Sequence, residues 1–151
     1  FDYHGKSIGR AREAAAEEGH LPNLSFEVAT GKEAPGTDFD LVCTFDCLHD
    51  MGDPVGAARH VREMLKRDGT FMIVEPMAGD SLAENLNPVG RMYYSASTMI
   101  CTPGSKAQEV GLALGAQAGE VRLRTVLGEA GFTRVRRAAE TPFNLVIEAR
   151  P

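Results

Sequence analysis

Hydrophobic positions along the chain fall into two alternating periods. Leu24, Phe26 and Val28 recur at every second residue, the period of a strand. Phe39 to Phe45 (FDLVCTF) and Thr70 to Glu75 (TFMIVE) are near-continuous apolar runs, as expected of parallel strands buried on both faces. Between these runs the spacing becomes helical. Ile8, Ala11 and Ala15 predict a helix opened by Ser7 as N-cap and stopped by Gly19. Val55, Ala58, Val61 and Leu65 predict a second, opened by Asp53-Pro54 and ended by Lys66, Arg67 and Gly69. Leu123, Val126, Leu127 and Ala130 predict a third that stops at Gly131. Two last strands are expected near Phe132–Ala138 and Phe143–Ala149.

Strands alternating with helices indicate βαβ units and a mostly parallel sheet, so the fold class is α/β. The closing pair differs. Its connection, a short turn around Pro142, has no room for a crossover, and those strands must run antiparallel. Over forty residues, Pro76 to Gly119, stand where a short connection would serve. Pro88 suits a helix start there, and Ser105 with Gln108 matches a capping box for a second segment. Such material after a strand's carboxyl end lies over the ligand crevice of an open α/β sheet. Val89–Cys101 is therefore expected to form a substrate lid. Met92, Tyr93 and Tyr94 would make an apolar wall, and Arg91 would face a polar or anionic group on the substrate.

Composition narrows the function classes. The 151 residues carry a formal charge of −5, which argues against a nucleic-acid-coating protein, since such binders need clustered Lys and Arg. No apolar stretch approaches the roughly 20 residues of a spanning helix, so no membrane partner is expected. The cysteines Cys43, Cys47 and Cys101 are odd in number and lack Cys-x-x-Cys spacing, which suits a reducing cytoplasm. The same spacing argues against a metal at Cys43, Cys47, His49 and Asp50. His4, His20 and His60 receive no role.

The order of local motifs resembles the class I S-adenosylmethionine-dependent methyltransferase family. Phe1-Asp2, with Ile8, Ala11 and Arg12 behind it, is similar to that family's second strand end and following helix. Phe39-Asp40-Leu41-Val42, leading to Phe45-Asp46-Cys47-Leu48-His49, is similar to its fourth strand and the segment beyond. Leu65-Lys66-Arg67-Asp68-Gly69-Thr70 resembles the turn into strand five, and Glu129-Ala130-Gly131-Phe132 the turn into strand six. The family's first strand and glycine-rich loop have no counterpart, so the chain reads as a C-terminal portion, a partial domain with a lid insertion at about 76–119. Asp2 and Phe39–Phe45 would then lack their common neighbour strand. A homo-oligomer, or association with the missing N-terminal segment, is expected to cover the open edges.

The resemblance implies S-adenosylmethionine as cofactor. It implies Asp2, with Tyr3 beside it, on the ribose hydroxyls. Ala29 and Thr30 fall near the adenine, where the family often has an acidic residue, and Phe45 and Asp46 at the amino-acid end. Methyl transfer then needs chiefly alignment and exclusion of water. A hydroxyl acceptor benefits from a base, and His49 is the histidine beside the expected cleft. The function expected is methyl transfer to a small-molecule acceptor. The alternative is a non-catalytic methyltransferase-like binding or assembly module. A dinucleotide-dependent dehydrogenase fits the reversed last strand poorly.

Overall fold

The structure, a computed structural model of the chain, describes residues 1–19 and 22–151, so His20 lies outside the described residues. It divides into two units, Phe1–Gly36 and Thr37–Pro151.

In the first unit, helix α1 spans Gly5–Glu17. It begins two residues before Ser7, with His4 at the N-cap, and Ser7 Oγ lies 2.9 Å from His4 Nδ1. Ser7 therefore belongs to the first turn and does not cap it. Gly19 adopts φ +99°, the left-handed conformation that ends helices, as expected. The strand expected at Leu24–Val28 is reduced to one parallel bridge, Asp2 with Val28. Its hydrogen bonds run from Asp2 N to Glu27 O and from Ala29 N to Asp2 O.

The second unit is a four-stranded sheet in the order β1-β2-β4-β3, made of β1 (Phe39–Phe45), β2 (Leu65–Pro76), β3 (Arg134–Glu140) and β4 (Asn144–Arg150). β1 and β2 are parallel, with Val42 opposite Phe71 and Phe45 opposite Val74. β4 lies antiparallel between β2 and β3. Three strands thus share one direction and one is reversed, the α/β arrangement the sequence predicts. Along β2 and β4, alternate residues enter the core: Phe71 and Ile73 on one, Leu145, Ile147 and Ala149 on the other.

β1 departs from expectation. It is a sheet edge among the described residues, and its apolar run is not buried on both faces, since the side that carries Leu41 and Phe45 is left open: Leu41 is 54% exposed and Phe45 63%.

Helix α2 (Pro54–Met64) begins as the sequence dictates, with the Asp53 carboxylate accepting from Gly56 N at 2.7 Å and Pro54 in the first turn. It ends earlier than expected. Leu65 is already extended, and Lys66–Gly69 run within β2 through a register shift opposite Phe39–Leu41. Helix α5 (Gly119–Glu129) packs with α2 against the sheet, and Phe132 meets Phe71 with ring centroids 5.7 Å apart.

The segment between β2 and α5 contains α3 (Pro88–Ala96), one wide π turn (Ser97–Cys101) and α4 (Thr102–Lys106). Asn87 caps α3 by accepting from Gly90 N at 2.8 Å. Buried Asn85 ties the preceding loop, donating to Gly79 O and Ser81 O and accepting from Gly79 N. The capping box expected of Ser105 and Gln108 does not form, because both side chains turn to another loop. Ser105 Oγ donates to Met51 O, while Gln108 accepts from Gly52 N and donates to Asp50 O. Leu114 and Ala118 join the core with Leu48. The segment's inner half is therefore core and clamp, and its outer half carries the exposed Met92, Met99 and Ile100.

Candidate active site

The carboxyl ends of β1 and β2 meet at one corner of the second unit. β1 ends in Phe45. Asp46 follows with φ +46° and donates its amide to Val74 O at 2.8 Å, which fixes the turn into the single helical turn Leu48–Asp50. This turn brings His49 over β2, where the core-facing alternation Phe71, Ile73 continues to Glu75. Glu75 is 2% exposed and His49 4%.

Glu75 Oε1 accepts from Leu48 N at 2.9 Å, and Oε2 lies 2.5 Å from His49 Nδ1. A carboxylate only accepts, so Nδ1 donates and the lone pair is left on Nε2. Asp50 Oδ1 stands 3.2 Å from that Nε2 and is buried, with the Cys101 thiol also beside this carboxylate. Burial works against the imidazolium. The bond and charge of Glu75, joined by Asp50 and Asp46, outweigh it and raise the His49 pKa above the ordinary imidazole value. Nε2 is thus a strong proton acceptor, with its ring orientation fixed from behind.

Segment 101–112 holds this loop in place. Besides the Ser105 and Gln108 bonds, Leu112 N donates to Gly52 O at 2.9 Å. A side chain at Gly52 would meet Gln108 Cβ and Glu109 O at 2.5 Å, so glycine is what lets the segment approach.

On the far side, Tyr93 donates its hydroxyl to Phe143 O at 2.8 Å, tying α3 to the β3–β4 turn. Burial, then the charge of Asp46, raises its pKa. Asn144 Nδ2 contacts Asp46 Oδ1 at 3.4 Å. Asp46, His49 and Tyr93 are therefore neighbours at this corner. Tyr94 is half-buried, Met92 and Arg91 are exposed, and Arg91 forms no ion pair among the described residues. Successive helical residues point about 100° apart, so Met92, Tyr93 and Tyr94 do not share one face.

The first unit holds the other sequence candidates. Asp2 is half-buried, and its Oδ1 accepts from His4 N at 2.7 Å, which leaves its second oxygen for a ligand. Tyr3 is 78% exposed. Ala29 is held by the bridge to Asp2, and Thr30 Oγ1 donates to Glu33 Oε2 at 2.8 Å.

Sequence reasoning missed Glu75. Its signal was available, because it follows Phe71 and Ile73 at the same alternation and so stands at a core-facing position. Cys101 was also missed. No local spacing links it to His49, and the fold alone brings it there.

A family model described as "Methyltransferase domain" matches residues 1–131. No curated protein matches the chain. Among solved structures, PigF with SAH is similar at a TM-score of 0.74 and 15% identity, covering 96% of this chain and 41% of that one. The mitomycin 7-O-methyltransferase MmcR gives 0.63 and 17%, covering 95% and 39%. Human N-acetylserotonin methyltransferase in complex with SAM gives 0.65 and 17%, covering 91% and 36%. The chain thus spans about two-fifths of the length of these structures. No helix among the described residues is long and apolar enough to cross a membrane. With its sheet order, its reversed β4 and a family model that matches most of its length, the chain belongs to the class I S-adenosylmethionine-dependent methyltransferase family.

Proposed function

We propose that the chain carries S-adenosylmethionine-dependent methyl transfer to a hydroxyl of a small-molecule acceptor, with His49 receiving the hydroxyl proton. The observation that carries this reading is the buried Glu75–His49 pair at the carboxyl ends of β1 and β2. S-adenosylmethionine supplies an already activated methyl group on a sulfonium. The residues then need only bind, orient and take a proton. His49 Nε2 would take the acceptor's proton as the acceptor oxygen takes the methyl group from the sulfonium sulfur, which leaves as a thioether, and Glu75 would hold the resulting imidazolium.

Residues toward the cofactor fit in kind. Asp2 keeps one carboxylate oxygen for the ribose hydroxyls, with Tyr3 exposed beside it. Ala29 and Thr30, with Glu33 held against the Thr30 hydroxyl, suit the adenine edge. Phe45 and Asp46 suit the amino-acid end at the close of β1. Toward the acceptor we assign Tyr93 on α3, through its neighbourhood to Asp46, with Arg91, Met92 and Tyr94 at the flanks of the same helix and not as one wall. The open edge of β1 gives a second copy or a further strand a place to pair.

The test is methyl transfer by the full chain to a panel of phenols and alcohols, read by mass spectrometry of the product. His49→Ala should lower kcat by about 10²–10⁴-fold, the usual worth of a positioned base, with cofactor affinity unchanged by calorimetry. Tyr94→Ala and Arg91→Ala should raise the acceptor KM with the melting temperature nearly intact. Equal turnover in His49→Ala, or products methylated only on nitrogen or carbon, would overturn the reading.

A further inference from the structure

We infer that His49, Asp50 and Cys101 form a binding site for one thiophilic divalent cation of the zinc class. One ligand atom from each, a ring nitrogen of His49, an Asp50 carboxylate oxygen and Cys101 Sγ, lies within 4.8 Å of the other two, and Nε2 is the nitrogen that Glu75 leaves open. The edge from Nε2 to Asp50 Oδ1 is 3.2 Å, close to the roughly 3.3 Å that separates two nitrogen or oxygen ligands of a tetrahedral zinc ion.

Four further observations agree. Asp50 Oδ1 is buried, and the groups that reach this carboxylate are the other two ligands, the His49 ring at 3.2 Å and the Cys101 thiol. Glu75 accepts from the other nitrogen of the same imidazole, the support that orients metal-bound histidines. The helix running from α3 to α4 widens into a π turn whose last residue is Cys101, and such turns recur at functional sites. The thiol itself is buried on the same side as the Asp50 carboxylate.

Imidazole, carboxylate and thiolate together favour zinc over magnesium or calcium, which take oxygen alone. Three protein ligands leave a fourth position for water. On binding, the Cys101 S–H bond breaks and its proton passes to solvent. His49 binds through the Nε2 lone pair and keeps its Nδ1 proton on Glu75, and no electron is transferred. The cation would then occupy the atom assigned above to receive the acceptor's proton, so zinc should inhibit methyl transfer. That consequence rests on the proposed function; the binding does not.

The metal-free full chain is titrated with Co²⁺ and, separately, dialysed against Zn²⁺. One cobalt per chain with a near-ultraviolet thiolate-to-cobalt band is expected. Cys101→Ser should abolish the band and weaken zinc at least tenfold, while Cys43→Ser and Cys47→Ser leave both unchanged. Absence of the band in the unmutated chain, or its survival in Cys101→Ser, would overturn the site. Where methyl transfer is measured, equimolar zinc should inhibit the unmutated chain, with chelator reversing it, and spare Cys101→Ala. Equal inhibition of Cys101→Ala would overturn the inhibitory role. A chain that binds cobalt through Cys101 but transfers no methyl group would sink the proposed function and leave the metal site standing.

Discussion

Two glutamates in the same unit each hold two donors, and they do different things. Glu75 on β2 sits at a core-facing position, bonded to the Leu48 amide and the His49 ring. Glu120 on α5 bridges Arg124 and Arg137 at the surface, with Arg137 also reaching Glu140. Burial alone would raise the Glu120 pKa, but the two guanidiniums outweigh it and hold the carboxyl below its ordinary range. Water screens that network, and long side chains lose freedom in forming it. Glu75 has no such recourse. Its partners are buried with it, so each unmade bond would cost in full. A buried carboxylate that fixes an imidazole is an expensive device, and its position at the end of two parallel strands is where such expense serves chemistry.

The comparison predicts that carboxylate deletions rank by burial, and each can be read by denaturant unfolding at neutral pH. Glu75→Ala should cost about 3–5 kcal/mol, the usual loss when one partner of a buried pair is removed. Glu75→Gln should cost less, because the amide oxygen can still accept from Leu48 N, yet it should lower methyl transfer as His49 loses its counter-charge. A stable Glu75→Ala with full turnover would erase the distinction between the two glutamates. Half-buried Asp53 is intermediate, and losing its cap on α2 by Asp53→Ala should cost about 1 kcal/mol.

Glu120→Gln should cost about 0.5–1 kcal/mol at neutral pH. Its sign with pH is fixed. A carboxyl whose folded pKa lies below its unfolded value stabilises the fold above the unfolded value, near pH 4, and loses that contribution as pH falls through the folded one. The gap between the unmutated chain and Glu120→Gln should therefore close on acidification, and a gap that persists would rule out the ion pairs as its source. Asp40→Ala, which removes the exposed partner of Lys66, should have no measurable effect on stability.

Signals that act within a few residues were legible in the sequence. Asp53-Pro54 caps α2 because a short carboxylate reaches the amide three residues on, whatever lies around it. Pro88 opens α3 in the same way, with Asn87 before it. Gly19 and Gly131 both take positive φ after helices, a conformation glycine adopts without a Cβ clash. The short turn between β3 and β4 left only an antiparallel pairing. His49 was legible as a candidate because it follows an apolar strand at the end that faces ligands in such sheets.

Tertiary structure decided what depends on distant neighbours. Whether FDLVCTF is buried on both faces depends on what packs above and below β1, not on its own residues. Ser105 and Gln108 have capping-box spacing, yet the better acceptors and donors for them lay in the loop at Asp50–Gly52. Glu75 stands 26 residues from His49, and Cys101, the last residue of a π turn, lies further still. Local propensity is carried by the backbone of one segment, whereas a buried pair or a three-ligand cluster exists only once the chain has folded and water has been excluded from around it.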